Sequence, residues 1–494
     1  MKQDKPLLDR LADHRDGGYL SLHMPGHKEN EGLAPYLRTL GAGLDITEIP
    51  GFDDLHAPAE VLAESMARAA RLFGSGETLY QVNGSTGALL AAIRGATRRG
   101  DRVLVARHCH KAVYHAVELC GLDPVWLVPP TVGDFGVAGS IQPSQVEQAL
   151  EDHPDITLVV YPSPTYDGVL SDTAAICAAA HARGVPVLVD EAHGAHLGLT
   201  GDFPLGAVAQ GADLVAASLH KMLPSLTQTA VLHLSGDRVD RAEIRRQAGI
   251  FQSSSPSYLL MAAMDGCVRL LEEKKEALFA AWARRLGEFD QLARGLRNLR
   301  LPGHGDEAGA VYPNVFALDP ARIVLSTRGA ACTGVALMDR LRTDYKIELE
   351  MALDTYAVAM TGLGTDDGMP RRLAEALHAL DKAVGPASGP VSDPPALGLP
   401  PRRLGLEEAV RSRGEFLPAE KAVGRVARGY LWAYPPGIPL AVPGEELTAD
   451  LAETVGRLER AGVKLVGLGP GGTVDGGRAQ IRIPALSWNV IRFA

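Results

Sequence analysis

Five short runs of this chain are apolar from end to end: Val103-Leu104-Val105-Ala106, Pro124-Val125-Trp126-Leu127-Val128, Leu158-Val159-Val160-Tyr161, Val185-Pro186-Val187-Leu188-Val189 and Leu214-Val215-Ala216. A strand with one face in water alternates apolar and polar residues, whereas a strand covered on both faces does not. Helical patterns separate several of the runs, at residues 88–97, 112–119 and 173–183. Strands alternating with helices predict an α/β fold, with a mostly parallel sheet covered by helices on both faces. A shorter strand, Leu79-Tyr80-Gln81-Val82, precedes the set.

Open parallel sheets bind their ligands at the carboxyl ends of the strands, and the chemistry of this chain gathers at those ends. Leu79–Val82 runs into Asn83-Gly84-Ser85-Thr86-Gly87 and then a helix. Small and hydroxyl-bearing residues at a strand-to-helix junction suit a phosphate, because backbone N–H groups and the helix dipole point at the anion. The lysine of a nucleotide P-loop is missing. The next ends deliver Arg107-His108-Cys109-His110-Lys111, then Asp190-Glu191-Ala192-His193-Gly194-Ala195-His196, then Ser218-Leu219-His220-Lys221. A lysine that loses its proton in a shielded pocket forms Schiff bases. An aldehyde-bearing, phosphorylated pyridine needs an amine, a carboxylate for its ring nitrogen, a phosphate nest and a packing partner. Lys221, Asp190, Ser85-Thr86 and His110 supply one of each.

Composition excludes other classes. The 494 residues carry a net charge of −10, which argues against a nucleic-acid or anionic-membrane surface. The five cysteines are scattered and never spaced as CxxC, so neither a disulfide framework nor a metal site is expected and a reducing cytoplasm fits. No apolar run approaches a membrane span, and no signal-peptide core follows Met1.

The remaining chain divides by pattern. Residues 1–57 form an N-terminal segment: a helix with Leu7, Leu8 and Leu11 on one face, the turn His23-Met24-Pro25-Gly26-His27-Lys28, and an acidic loop with Glu48, Asp53 and Asp54. A large domain spans 58–305, in which Ser255-Pro256-Ser257-Tyr258 leads into helices at 259–271 and 275–296. Residues 306–385 read as a smaller α/β domain, with strands near 315–318 and 356–360 and a helix at 333–342. Residues 386–402 are a Pro/Gly-rich linker, and 403–494 form a C-terminal domain holding Tyr434-Pro435-Pro436-Gly437-Ile438-Pro439.

Together these stretches resemble the Orn/Lys/Arg decarboxylase family of fold type I pyridoxal-phosphate enzymes. The likeness rests on the His23–Lys28 turn, Asp53-Asp54-Leu55-His56, Val82–Thr86, Cys109-His110-Lys111, Asp190–His196, Ser218–Lys221, Ser255–Tyr258 and Tyr434–Pro439. It implies a seven-stranded sheet and pyridoxal 5'-phosphate as cofactor. Lys221 would bond the cofactor's aldehyde and Asp190 would pair with its ring nitrogen. His110 would stack on one ring face, Ala192 would cover the other, and His193 would lie near the phenolic oxygen. Ser85, Thr86, Gly87, Ser218 and His220 would hold the phosphate. The implied reaction is α-decarboxylation of a basic amino acid in polyamine metabolism, by a homodimer or higher homo-oligomer. Arginine is favoured by analogy, ahead of lysine and ornithine, with Glu48, Asp53, Asp54 and Glu350 as candidates to bind the side chain. The turn at His23–Lys28 is expected to complete the partner's site. The motifs begin too early to leave room for the N-terminal wing of larger members, so a wingless form is expected. Leu219 departs from the threonine often seen in the family. The alternatives are an aminotransferase with Arg371-Arg372 gripping the α-carboxylate, a carbon–sulfur lyase, or a non-catalytic regulator of the same fold.

Overall fold

The computed structural model describes residues 5–132, 135–387, 399–433, 438–467, 472–473, 479–480 and 482–486. Seven strands form the central sheet: β1 (Glu77–Gln81), β2 (Arg102–Ala106), β3 (Asp123–Leu127), β4 (Ile156–Pro162), β5 (Val187–Asp190), β6 (Leu214–Ser218) and β7 (Ala230–Leu234). Their spatial order is β1-β7-β6-β5-β4-β2-β3. Strands β2 to β6 run parallel, and β7 lies antiparallel to both of its neighbours. The expected continuous runs are the centre of the sheet. Val103–Ala106 and Val187–Val189 are at most 1% exposed, and burying each large apolar side chain contributes about 1.5–3 kcal/mol.

Strand β7 has no counterpart in the sequence reading. Its run, Ala230-Val231-Leu232-His233-Leu234, is broken by a histidine. His233 is nevertheless buried, because its Nδ1 lies 2.8 Å from the Thr78 hydroxyl on β1. The two helices expected at 259–271 and 275–296 are one helix of 35 residues, Tyr258–Leu292. Glu272-Glu273-Lys274-Lys275 contains no helix breaker, and the charges point outward with Glu272 paired to Arg68. In the N-terminal helix Leu7–Asp16, Leu7 and Leu11 are buried against this long helix while Leu8 is half exposed.

The smaller domain is an antiparallel sheet of Arg322–Ser326, Tyr356–Met360 and Met351–Ala352, packed by the helices Gly334–Tyr345 and Met369–Val384. The strand expected near 315–318 is only Ala317–Leu318, which pairs back to Val169–Leu170. The C-terminal portion packs on the helix Lys111–Cys120. Tyr430 and Trp432 close around Tyr114, and Glu445 makes two hydrogen bonds from the Arg107 guanidinium at 2.7 and 2.8 Å. Residues 388–398 of the expected linker and Tyr434-Pro435-Pro436-Gly437 lie outside the described residues. Among the described residues no helix is long and apolar enough to cross a membrane.

Asp53 has a structural task. Its carboxylate accepts from the N–H groups of Ala59, Glu60 and Leu62 at 2.8–3.0 Å, so it caps the helix Val61–Phe73. Asp53→Ala is expected to lower stability by about 0.5–2 kcal/mol, the range for losing a helix cap. A urea midpoint equal to that of the wild type contradicts the cap.

Candidate active site

Strand β6 ends at Ser218, and a single helical turn, Leu219–Met222, sets Lys221 at the sheet's carboxyl edge. Its amine lies 3.0 Å from His193 Nε2. His193 follows β5 and meets a second partner from the smaller domain: a guanidinium nitrogen of Arg322 lies 2.9 Å from its Nδ1 and 3.1 Å from its carbonyl oxygen. A guanidinium only donates, so Nδ1 must accept. The single ring hydrogen is therefore on Nε2, directed at Lys221, and the lysine must present a lone pair. Burial, then Lys221 and Arg322, hold His193 well below the ordinary histidine range. Burial likewise lowers Lys221 to about 8, with Asp190 opposing and Arg322 assisting. The contact thus favours an uncharged lysine amine. Arg322 is held from behind: it donates to the Met222 sulfur at 3.0 Å and faces Asp319, which also binds His196 at 3.0 Å.

The cavity in front of Lys221 is lined by Ser85, His108, His110, Ala138, Pro162, Pro164, Thr165, Tyr166, Asp167, Asp190, Ala192 and His193. Asp190 closes its floor. Among the described residues only the Ala192 N–H, at 3.2 Å, is a hydrogen-bond donor to it, and burial raises its carboxyl while Lys221 opposes. A buried carboxylate with one weak donor suits a protonated ring nitrogen. His110 caps the helix Lys111–Cys120 by accepting from the Ala112 N–H at 3.2 Å, which fixes its ring at the cavity wall. Burial pushes it down to about 3, so it is neutral and suited to stack.

Of the expected phosphate residues, Ser85 lines the cavity and Ser218 touches Ser85. Ser218 donates to the Ser85 hydroxyl at 3.0 Å, at the start of the helix Gly84–Ala96. Thr86 is exposed on that first turn and Gly87 is buried beneath it, where an added Cβ would stand 2.9 Å from that of Asn83. His220 Nδ1 donates to the Thr229 carbonyl at 2.8 Å, which orients its ring beside the loop. Leu219 points into the core, fully buried, so the missing threonine hydroxyl leaves no gap at the anion site. Amine, floor carboxylate, stacking ring and anion nest all fit pyridoxal phosphate.

Of the proposed side-chain carboxylates, Glu350 comes nearest: exposed and itself outside the cavity lining, it accepts from the Tyr166 hydroxyl, and its charge is felt at Lys221. Asp53 is engaged as a cap, Asp54 accepts from the His56 N–H at 2.8 Å, and Glu48 is exposed; none of the three lines the cavity. Arg371 and Arg372 lie exposed on the helix Met369–Val384, away from Lys221. Sequence reasoning missed Arg322, Tyr166 and His108. Tyr166 was within reach of the strand-end rule, because it follows β4, and its ring packs on His193 at 4.6 Å. Both ring nitrogens of His108 are sealed from solvent and unbonded among the described residues, and burial lowers it to about 4. It offers the cavity an unused polar group.

Lys221→Ala is expected to abolish the visible absorption of a covalently held aldehyde cofactor. A surviving band would place the anchor elsewhere. His110→Ala is expected to keep the band but weaken cofactor retention up to about tenfold, since an aromatic contact is worth about 0.5–1.5 kcal/mol; unchanged retention in a dialysis series contradicts the stacking assignment.

Known proteins match this geometry. Residues 5–294 match the Orn/Lys/Arg decarboxylase major domain, and residues 397–463 match that family's C-terminal domain. An arginine decarboxylase of Bacillus anthracis is 30% identical over 480 residues, covering 94% of this chain and 95% of that one. The lysine decarboxylase LdcA of Pseudomonas aeruginosa is 24% identical over 571 aligned positions, covering 92% and 76%. The crystal structure of the Francisella novicida lysine decarboxylase LdcF shares the fold with a TM-score of 0.82 at 18% identity, covering 98% of this chain and 81% of that one. The chain belongs to the Orn/Lys/Arg decarboxylase family, and is a carboxy-lyase that works with pyridoxal phosphate.

Proposed function

We propose that the substrate is arginine, decarboxylated at Cα to agmatine as a step in polyamine metabolism. The observation that carries the choice is Glu350, an exposed carboxylate held by the hydroxyl of Tyr166, which lines the Lys221 cavity. A guanidinium meets a carboxylate through two parallel N–H bonds, whereas an ammonium makes a point contact. A carboxylate whose orientation is fixed by a neighbouring hydroxyl rewards the planar partner more. The arginine decarboxylase relative, which matches over nearly its whole length, supports the same choice.

Bound pyridoxal phosphate supplies an aldehyde for amine exchange and a ring that accepts the electron pair released as carbon dioxide leaves. The chain does the rest. Lys221 Nζ would hold the cofactor, and when not bonded to it would be a free base beside His193. Asp190 would pair with the ring nitrogen and favour its protonated form. Pro162, Pro164, Ala138 and Tyr166 give the cavity largely apolar walls. A carboxylate enclosed there loses hydration, and its charge disperses as the C–C bond breaks. Lys221 Nζ, taking the proton that an incoming substrate ammonium gives up, would be the group to protonate Cα, with His193 fixing its position.

An aminotransferase reading lacks its arginine. Among the described residues no arginine lines the cavity, because Arg322 is committed behind His193. No guanidinium among the described cavity residues is then free to grip the α-carboxylate.

The proposal extends to a homodimer in the cytoplasm. Leu20, Leu22, Leu33, Tyr36 and Leu40 of the N-terminal segment are 63–83% exposed, a surface suited to a second copy. The turn His23–Lys28 lies on the same segment and is assigned to that contact. All five cysteines are free, which suits a reducing compartment.

Product analysis on arginine, lysine and ornithine side by side tests the substrate. Agmatine should form with a kcat/KM at least about tenfold above the other two, the worth of one extra charge-assisted contact. Equal rates contradict the arginine choice. Glu350→Gln should raise the KM for arginine about tenfold or more with a smaller change in kcat; an unchanged KM would move side-chain recognition to other residues.

A further inference from the structure

The helix Leu7–Asp16 buries Leu7 and Leu11, and the next residue on that stripe is His14. His14 stacks on Tyr19 at 4.8 Å and meets the edge of Phe52 at 5.5 Å. Its Nε2 faces Glu29, whose Oε1 also faces His23 Nε2 from the turn that begins at His23. The two nitrogen–oxygen separations are 3.8 and 3.7 Å, and the three donor atoms all lie within 4.8 Å of one another.

These distances are too long for hydrogen bonds. Oε1 of Glu29 is sealed from solvent and has no hydrogen-bond partner among the described residues. The tautomer of His23 sharpens the problem. Its Nδ1 lies 2.5 Å from the Met24 carbonyl, which can only accept, so Nδ1 carries the hydrogen. Neutral His23 therefore turns the lone pair of Nε2 toward a buried carboxylate oxygen, and the Ser21 hydroxyl is only at the long limit of reach, 3.4 Å. Two acceptors facing each other call for a cation between them, a proton on a histidine ring or a metal ion.

We propose that His14, His23 and Glu29 form a binding site for a divalent transition metal, with Zn2+ the best match. Zinc takes imidazole nitrogen and carboxylate oxygen at about 2.0–2.2 Å, which sets neighbouring ligands about 3.3–3.5 Å apart in a tetrahedron. The two separations from Glu29 need a few tenths of an ångström of closure, and the two histidine nitrogens, which lie within 4.8 Å, up to about 1.5 Å. The Met24 carbonyl on His23 Nδ1 is the outer partner that metal-bound histidines use to fix their tautomer. Three protein ligands leave a fourth position for water. The ligands come from two stretches separated by Tyr19-Leu20, so no local spacing in the sequence announces them. A bound ion would clamp the N-terminal helix to the turn at His23–Lys28 and stiffen the exposed segment between them. The site shares no residue with the Lys221 cavity of its own chain and does not rest on the substrate assignment.

The test is titration of the chelator-treated holoenzyme with ZnCl2, read by calorimetry, and with CoCl2, read by visible absorption. One equivalent per chain is expected, with the absorption of four-coordinate Co2+. Glu29→Gln and His23→Ala should each weaken Zn2+ binding at least about tenfold. Glu29→Gln keeps the side chain's size, and an unchanged cofactor band shows that it folds. Absence of stoichiometric uptake by the wild type, or uptake equally tight in both variants, overturns the site.

Discussion

The hydrogen bond between His193 and Lys221 is the contact on which the site depends. A lysine amine in water is protonated near neutrality and cannot attack an aldehyde. Here burial lowers it, and a ring hydrogen aimed at Nζ disfavours a third proton. That hydrogen sits on Nε2 because Arg322 occupies Nδ1. Arg322 begins a strand of the smaller domain, whereas His193 and Lys221 end strands of the large one. The state of the amine is thus tied to the docking of two domains.

The other walls are supported in the same layered way. His110 keeps its orientation because it caps a helix, and that helix is held by Tyr114 against Tyr430 and Trp432 of the C-terminal portion. The nearly buried pair Arg107–Glu445 ties the loop before His110 to the same portion. Removing one partner of such a pair leaves an uncompensated charge, so its geometry resists drift. The C-terminal portion thereby positions a cofactor wall without lining the cavity.

Much of this was legible in the chain. Continuous apolar runs announce strands covered on both faces, and polar residues at their carboxyl ends stand out against them; Lys221, Asp190, His110 and Ser85 are all found this way. Strand β7 was hidden because His233 breaks its run, and only a partner on another strand, Thr78, makes that histidine a core residue. The break expected near Glu272–Lys275 was a change of solvent exposure, not of backbone. Asp53 looks like any loop carboxylate until the positions of Ala59, Glu60 and Leu62 are known. Arg322 carries no local signal, because its importance comes entirely from packing across 129 residues of sequence.

The most direct test is the titration of Lys221 itself, read by competitive acylation of Nζ in cofactor-free protein across pH. The midpoint should lie near 8 in the wild type and rise toward the ordinary lysine value, about 10.4, in Arg322→Met. A wild-type midpoint already near that ordinary value, or one that Arg322→Met leaves unmoved, would contradict the account.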